Sequence, residues 1–84
     1  MSADLAAIRR AIVDIAQAEL GEYAPPEGMD LADALDSVQR LALVVAIEDH
    51  FEVCFEPEDD QASVTLDDVA RVVARRLQEQ RGTP

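Results

Sequence analysis

The chain has 84 residues, enough for one small domain, and 49% are apolar but only 4% aromatic, so its core must be built from Ala, Val, Leu and Ile. Eighteen acids against seven bases, all arginine, give a formal net charge of −11, which argues against nucleic acid and anionic membrane surfaces as partners and for basic patches on other proteins. The single Cys54 has no second cysteine for a disulfide or a metal pair, no N-terminal apolar run is present, and the longest apolar stretch, Leu41–Ile47, is far too short to span a bilayer; the expectation is a soluble, cytoplasmic, monomeric protein.

Residues 3–20 read as the first helix. Leu5, Ile8, Ile12 and Ile15 recur at spacings of 3, 4 and 3, which aligns them in one apolar stripe. Ser2 is a candidate cap at its start, and Gly21 is a candidate C-cap at its end. Residues 21–36 form a connection in which Pro25, Pro26 and Gly28 forbid a continuous helix. Met29, Leu31 and Leu35 interrupt its polar run and are expected to pin it across the helix ends, with Leu31–Ala34 as a short helical turn.

Residues 37–51 read as the second helix. Leu41, Val44, Ile47 and Phe51 form its stripe, while Val38, Leu43 and Val45 widen the apolar arc. An arc that wide predicts a central helix with neighbours on two sides. Residues 52–64 are a second acidic connection, in which Pro57 can open a helical turn over Glu58–Ala62. Val53 and Phe55 alternate with polar residues, a weak strand signal without a pairing partner. Residues 66–80 read as the last main helix, opened by the Thr65/Asp68 pair and striped by Leu66, Val69, Val73 and Leu77. Arg75, Arg76 and Arg81 stand at its end, where cations complement the helix dipole, and residues 81–84 are a tail. The expected fold is all-α: a small antiparallel four-helix bundle of three main helices and a short helical turn, forming one domain over residues 1–84 with its core at about 3–80.

The densest functional signal is Asp36-Ser37-Val38. Asp36 and Gln39 have capping-box spacing, so Ser37 falls at the mouth of the second helix, beside unpaired backbone N–H groups that favour a phosphate ester. A serine at a helix start is usually no more than a cap. Here Asp36 already supplies the capping acceptor, which frees Ser37 to project outward.

Asp-Ser-Val opening such a helix in a small acidic chain resembles the acyl carrier protein family. The resemblance extends over nearly the whole chain. Leu41 through Phe51 is similar to the family's second helix, Phe55 to the apolar residue after it, and Thr65-Leu66 to the Thr-Val that opens its last helix. It implies a carrier fold and 4′-phosphopantetheine, donated by coenzyme A, attached to Ser37 with Asp36 and Val38 flanking it. It also implies acyl or aminoacyl cargo held as thioesters. The implied partners are a phosphopantetheinyl transferase and loading and condensing enzymes, meeting a surface of Met29, Gln39 and Arg40. One departure stands out: fatty-acid carriers often bear acids early in this helix, where this chain has Gln39, Arg40 and Ala42. That departs from the usual fatty-acid synthase docking pattern and implies something closer to a stand-alone carrier in a specialised pathway, with fatty acid, polyketide and nonribosomal peptide biosynthesis all left open as its setting. The alternative is an acidic helical interaction module that keeps the fold without a prosthetic group.

Enzyme chemistry finds little support. The one histidine, His50, lies thirteen residues after Ser37 on the same predicted helix, an axial gap of about 20 Å, so no Ser–His pair can form. Glu48, Asp49, His50 and Glu52 follow one another too closely on a helix to converge on a metal. Cys54, between Val53 and Phe55, has no basic neighbour to activate it and is expected to be a buried or half-buried structural thiol.

Overall fold

The computed structural model describes residues 4–82, with side chains over residues 4–80. Its helices are α1 (Leu5–Leu20), α2 (Leu31–Ala34), α3 (Ser37–Phe51), α4 (Pro57–Ala62) and α5 (Leu66–Gly82), with a 3-10 turn over Gly21–Tyr23. No strand occurs among the described residues. The Cα radius of gyration is 12.2 Å, close to the about 12 Å expected of a compact chain this long. The result is a small all-helical bundle with two short helices rather than one.

Local chemistry sets each helix start. Asp4 caps α1, its carboxylate accepting the Ala6 N–H at 3.1 Å. The helix thus begins at Leu5, and the candidate cap Ser2 lies outside the described residues, as does the tail beyond Gly82. Asp30 caps α2 in the same way, accepting from Ala32 N–H at 2.8 Å. Pro57 is the first residue of α4, where its missing N–H costs nothing. Thr65 and Asp68 exchange hydrogen bonds at 3.1 and 3.2 Å to open α5. At the end of α1, Gly21 takes a φ of +57°, a conformation that a side chain disfavours.

The core joins Ile8, Ile12 and Ala16 of α1 to Leu43 and Ile47 of α3 and Leu66, Val69, Ala70 and Val73 of α5. Leu31 and Leu35 close it from the first connection. Helix α1 packs closely on both α3 and α5, and α4 packs on α5. The two connections are tied directly, because Leu31 N–H donates to the Val64 carbonyl at 2.7 Å.

Four expectations change. First, α3 is not the enclosed helix: Val38 and Leu41 are 77% and 64% exposed and Val45 is exposed as well. Leu41 stands about 200° around the helix from Leu43, so the two cannot both face the core. The buried stripe is Leu43 and Ile47, with Val44 and Phe51 half-buried. Second, Met29 is exposed and pins nothing; Leu31 and Leu35 alone do that work.

Third, Cys54 is exposed. The segment after α3 is extended, so alternate side chains point in opposite directions: Val53 inward, Cys54 outward, Phe55 half-inward. It pairs with no strand. The Phe55 N–H instead donates to the Glu48 carboxylate at 2.7 Å. Fourth, Arg75 and Arg76 do not simply trail off the end of α5. Both turn to Asp59 at the start of α4.

Candidate functional site

Asp36 and Gln39 form a complete capping box. The Gln39 N–H donates to Asp36 Oδ1 at 2.8 Å, and the Asp36 N–H donates to Gln39 Oε1 at 3.1 Å. The N-cap position is thereby satisfied without Ser37, which is the first residue of α3 and is exposed. Among the described residues nothing hydrogen-bonds its hydroxyl. A serine that served only as a helix cap would show the opposite: its oxygen engaged by a backbone N–H.

Ser37 opens onto a shallow groove whose other walls are Arg40, Leu41, Val44 and Asp60. Arg40 lies one turn along α3 from Ser37 and shares its face. Asp60 comes from α4, so the groove exists only because α4 folds beside α3. Below it a narrow apolar crease runs toward the core between Leu31, Leu43, Val44, Ile47 and Val69, with Arg40, Asp60 and Ser63 around it. At the size of a water molecule this crease is nearly closed.

The other residues expected at the site sit around it without lining the groove. Val38 projects outward and, with Leu41 and Val45, makes an exposed apolar ridge along α3. Gln39 is taken up in the capping box, and Met29 is exposed on the first connection. The structure brings Ser37 and Arg40 together in one groove, while Val38 and Met29 are exposed and do not line it.

Elsewhere the polar chemistry is structural. Asp59 is fully buried, and its carboxylate accepts four hydrogen bonds: Arg75 at 2.7 Å, Arg76 at 2.6 and 3.0 Å, and the Glu56 N–H at 2.9 Å. Burial by itself would raise its pKa. The Glu56 N–H and the Arg76 and Arg75 guanidiniums outweigh that and hold the carboxyl below its ordinary range. Ser63 Oγ donates to the Asp59 carbonyl at 2.7 Å, so both ends of α4 are secured. Nothing in the sequence announced these long-range pairs; the only local signal was the Glu56/Asp59 spacing across Pro57 at N1.

His50 and Phe51 meet edge to face with ring centroids 4.8 Å apart, at the end of α3 away from Ser37. No group of three or more His, Cys, Asp or Glu side chains is placed to hold a metal among the described residues, and none of the described helices is long and apolar enough to cross a membrane. No family model matches this chain, and no curated protein matches it.

Proposed function

We propose that this chain is an acyl carrier protein whose Ser37 bears 4′-phosphopantetheine, and that it is a carrier rather than an enzyme. The observation that carries the reading is the Ser37 hydroxyl: exposed, on the first turn of α3, and relieved of capping by Asp36. The group fits this position. A bulky phosphodiester on Oγ would displace no hydrogen bond and meet no buried side chain.

Attachment takes place in a separate Mg²⁺-dependent phosphopantetheinyl transferase. Ser37 Oγ attacks the β-phosphate of coenzyme A, its proton passes to a base of the transferase, and the bond to the departing 3′,5′-ADP breaks. When attached, the arm supplies a terminal thiol that carries acyl or aminoacyl groups as thioesters. This chain's own part is to hold the serine at a fixed, open helix end and to present the surface around it. Met29, Val38, Gln39 and Arg40 are the side chains nearest to a docking enzyme in this reading. A cytoplasmic place in a specialised biosynthetic pathway belongs to the same proposal.

The exposed ridge of Val38, Leu41 and Val45 also fits a protein-interaction module that is never modified. Intact mass separates the two. The purified chain is incubated with coenzyme A and a broad-specificity transferase. The carrier reading expects a gain of one phosphopantetheine in the wild type and none in Ser37→Ala, whose helical circular dichroism is retained. Absence of any gain with several transferases, or a gain that persists in Ser37→Ala, overturns it.

A further inference from the structure

Among the described residues, Arg9, Arg71, Arg75 and Arg76 each engage a carboxylate: Arg9 and Arg71 hold Asp67, and Arg75 and Arg76 hold Asp59. Arg40 differs. It is half-buried, yet its guanidinium makes no ion pair and no hydrogen bond within the described residues. In a chain of net charge −11, a cation left unpaired beside acids needs a reason. Asp60 forms the opposite wall of the groove, yet it stays beyond ion-pair distance of Arg40.

Position supplies that reason. Among the described residues, Arg40 is the only basic side chain lining the groove that Ser37 opens onto. Residues three apart on a helix have Cβ atoms about 5–6 Å apart. An arginine can reach across that gap to a group on the serine oxygen, and its planar fork matches two phosphate oxygens at once. The surroundings are otherwise hostile to a new negative charge, since Asp30, Asp33, Asp36 and Asp60 all lie on the segments around it. Arg40 also lines the crease together with Leu43 and Val44.

We infer that Arg40 is the phosphate-holding residue of this site: its guanidinium seats the phosphodiester on Ser37 and fixes the direction in which the arm leaves the groove. The inference rests on the carrier reading above. Because the phosphodiester is tethered one turn away, the contact forms within the molecule and needs no high affinity. Arg40 is a positioning residue for the arm, and this role puts it at the root of the arm rather than only on the outer docking surface.

The test is nuclear magnetic resonance of the arginine Nε–H groups and of phosphorus, on apo and holo forms of the full chain, each confirmed by intact mass. Arg10, which is exposed on α1 and likewise unpaired among the described residues, is the internal control. Conversion to the holo form is expected to shift the Arg40 Nε–H signal and leave Arg10 in place. The shift should collapse at about 1 M salt, where the screening length falls to roughly 3 Å. The holo ³¹P signal should move in Arg40→Gln and be restored in part by Arg40→Lys, which keeps the charge but not the fork. An Arg40 signal identical in apo and holo wild type overturns the inference, whether or not the variants can be loaded. So does an Arg40 signal that responds to Asp60→Asn in the apo form but is unmoved by loading, because the guanidinium would then belong to Asp60. If the wild type gains no phosphopantetheine, the carrier reading fails instead, and the mass measurement shows which of the two has gone.

Discussion

The starts of α3 and α4 are built on the same local plan and end in opposite states. At α3 the N-cap is Asp36 and the third helical residue, Gln39, reaches back to its N–H at 3.1 Å. At α4 the N-cap is Glu56 and the third helical residue, Asp59, reaches back at 2.9 Å. The difference lies in what stands opposite. Among the described residues no basic side chain bonds to Gln39, and the Ser37 beside it stays exposed and unbonded. Asp59 faces Arg75 and Arg76 of α5, is drawn into full burial, and becomes the point that holds α4 in place. A capping box sets where a helix begins, and the neighbouring helix decides whether that beginning is a fastening or a site.

Removing the fastening should have the largest effect on stability. Asp59→Ala removes a fully buried carboxylate with its four hydrogen bonds and leaves Arg76 only its longer contacts to Glu56, Glu58 and Glu79, a loss of about 2–3 kcal/mol. That is a large share of the stability of a domain this size, about 4–13 kcal/mol. Urea denaturation should show it as a lower midpoint. A loss no larger than that of an exposed substitution would mean that the Asp59 network contributes little.

Acid should act on the same point. The Asp59 carboxyl is held below its ordinary value of 3.8, so the unfolded chain takes up its proton at a higher pH than the folded one. Its contribution is complete above about pH 4 and is lost as pH falls through the lower folded value. Glu58 works in the opposite sense: a hydrogen bond that its protonated form donates to the Glu56 carboxylate, and the negative charge of Glu56, raise its pKa above 4.5, so protonation relieves the fold there. In denaturation midpoints followed from pH 6 downward, wild type should fall more steeply below pH 4 than Asp59→Asn. Parallel curves would remove Asp59 from the acid response.

The open start should be the more tolerant of the two. Asp36→Ala removes the capping acceptor and should cost about 1 kcal/mol. Ser37→Ala, which removes a hydroxyl bound to nothing, should cost less than about 0.5 kcal/mol. Thermal melts of the two variants side by side decide it. A Ser37→Ala loss equal to that of Asp36→Ala would show the serine to be part of the cap and would narrow the contrast with α4.

Much of this was legible from residue order, and the reason is physical. Capping boxes, a glycine at a helix end and a proline at a first turn act within four or five residues. Their spacing therefore located α3 from Asp36/Gln39, the end of α1 from Gly21, the short helix after Pro57 and the start of α5 from Thr65/Asp68. The period of Ile8 and Ile12 and of Val69 and Val73 marked the buried faces of α1 and α5 for the same reason. On α3 the period failed, because apolar residues run nearly all round and the pattern has no single direction. Only packing against α1 chose Leu43 and Ile47 for the core and left Val38, Leu41 and Val45 outside.

The sequence by itself determined an all-helical chain, the positions of its helix starts, and a serine freed from capping by the aspartate before it. The tertiary structure decided what depends on residues far apart in the chain. It placed Asp60 across from Ser37 and Arg40 and buried Asp59 under two arginines sixteen and seventeen residues later. It also turned Cys54 outward between two side chains that face in. Local hydrogen bonds are selected by spacing along one helix. Burial and charge pairing are selected by which faces meet, and no spacing within a single helix contains that information.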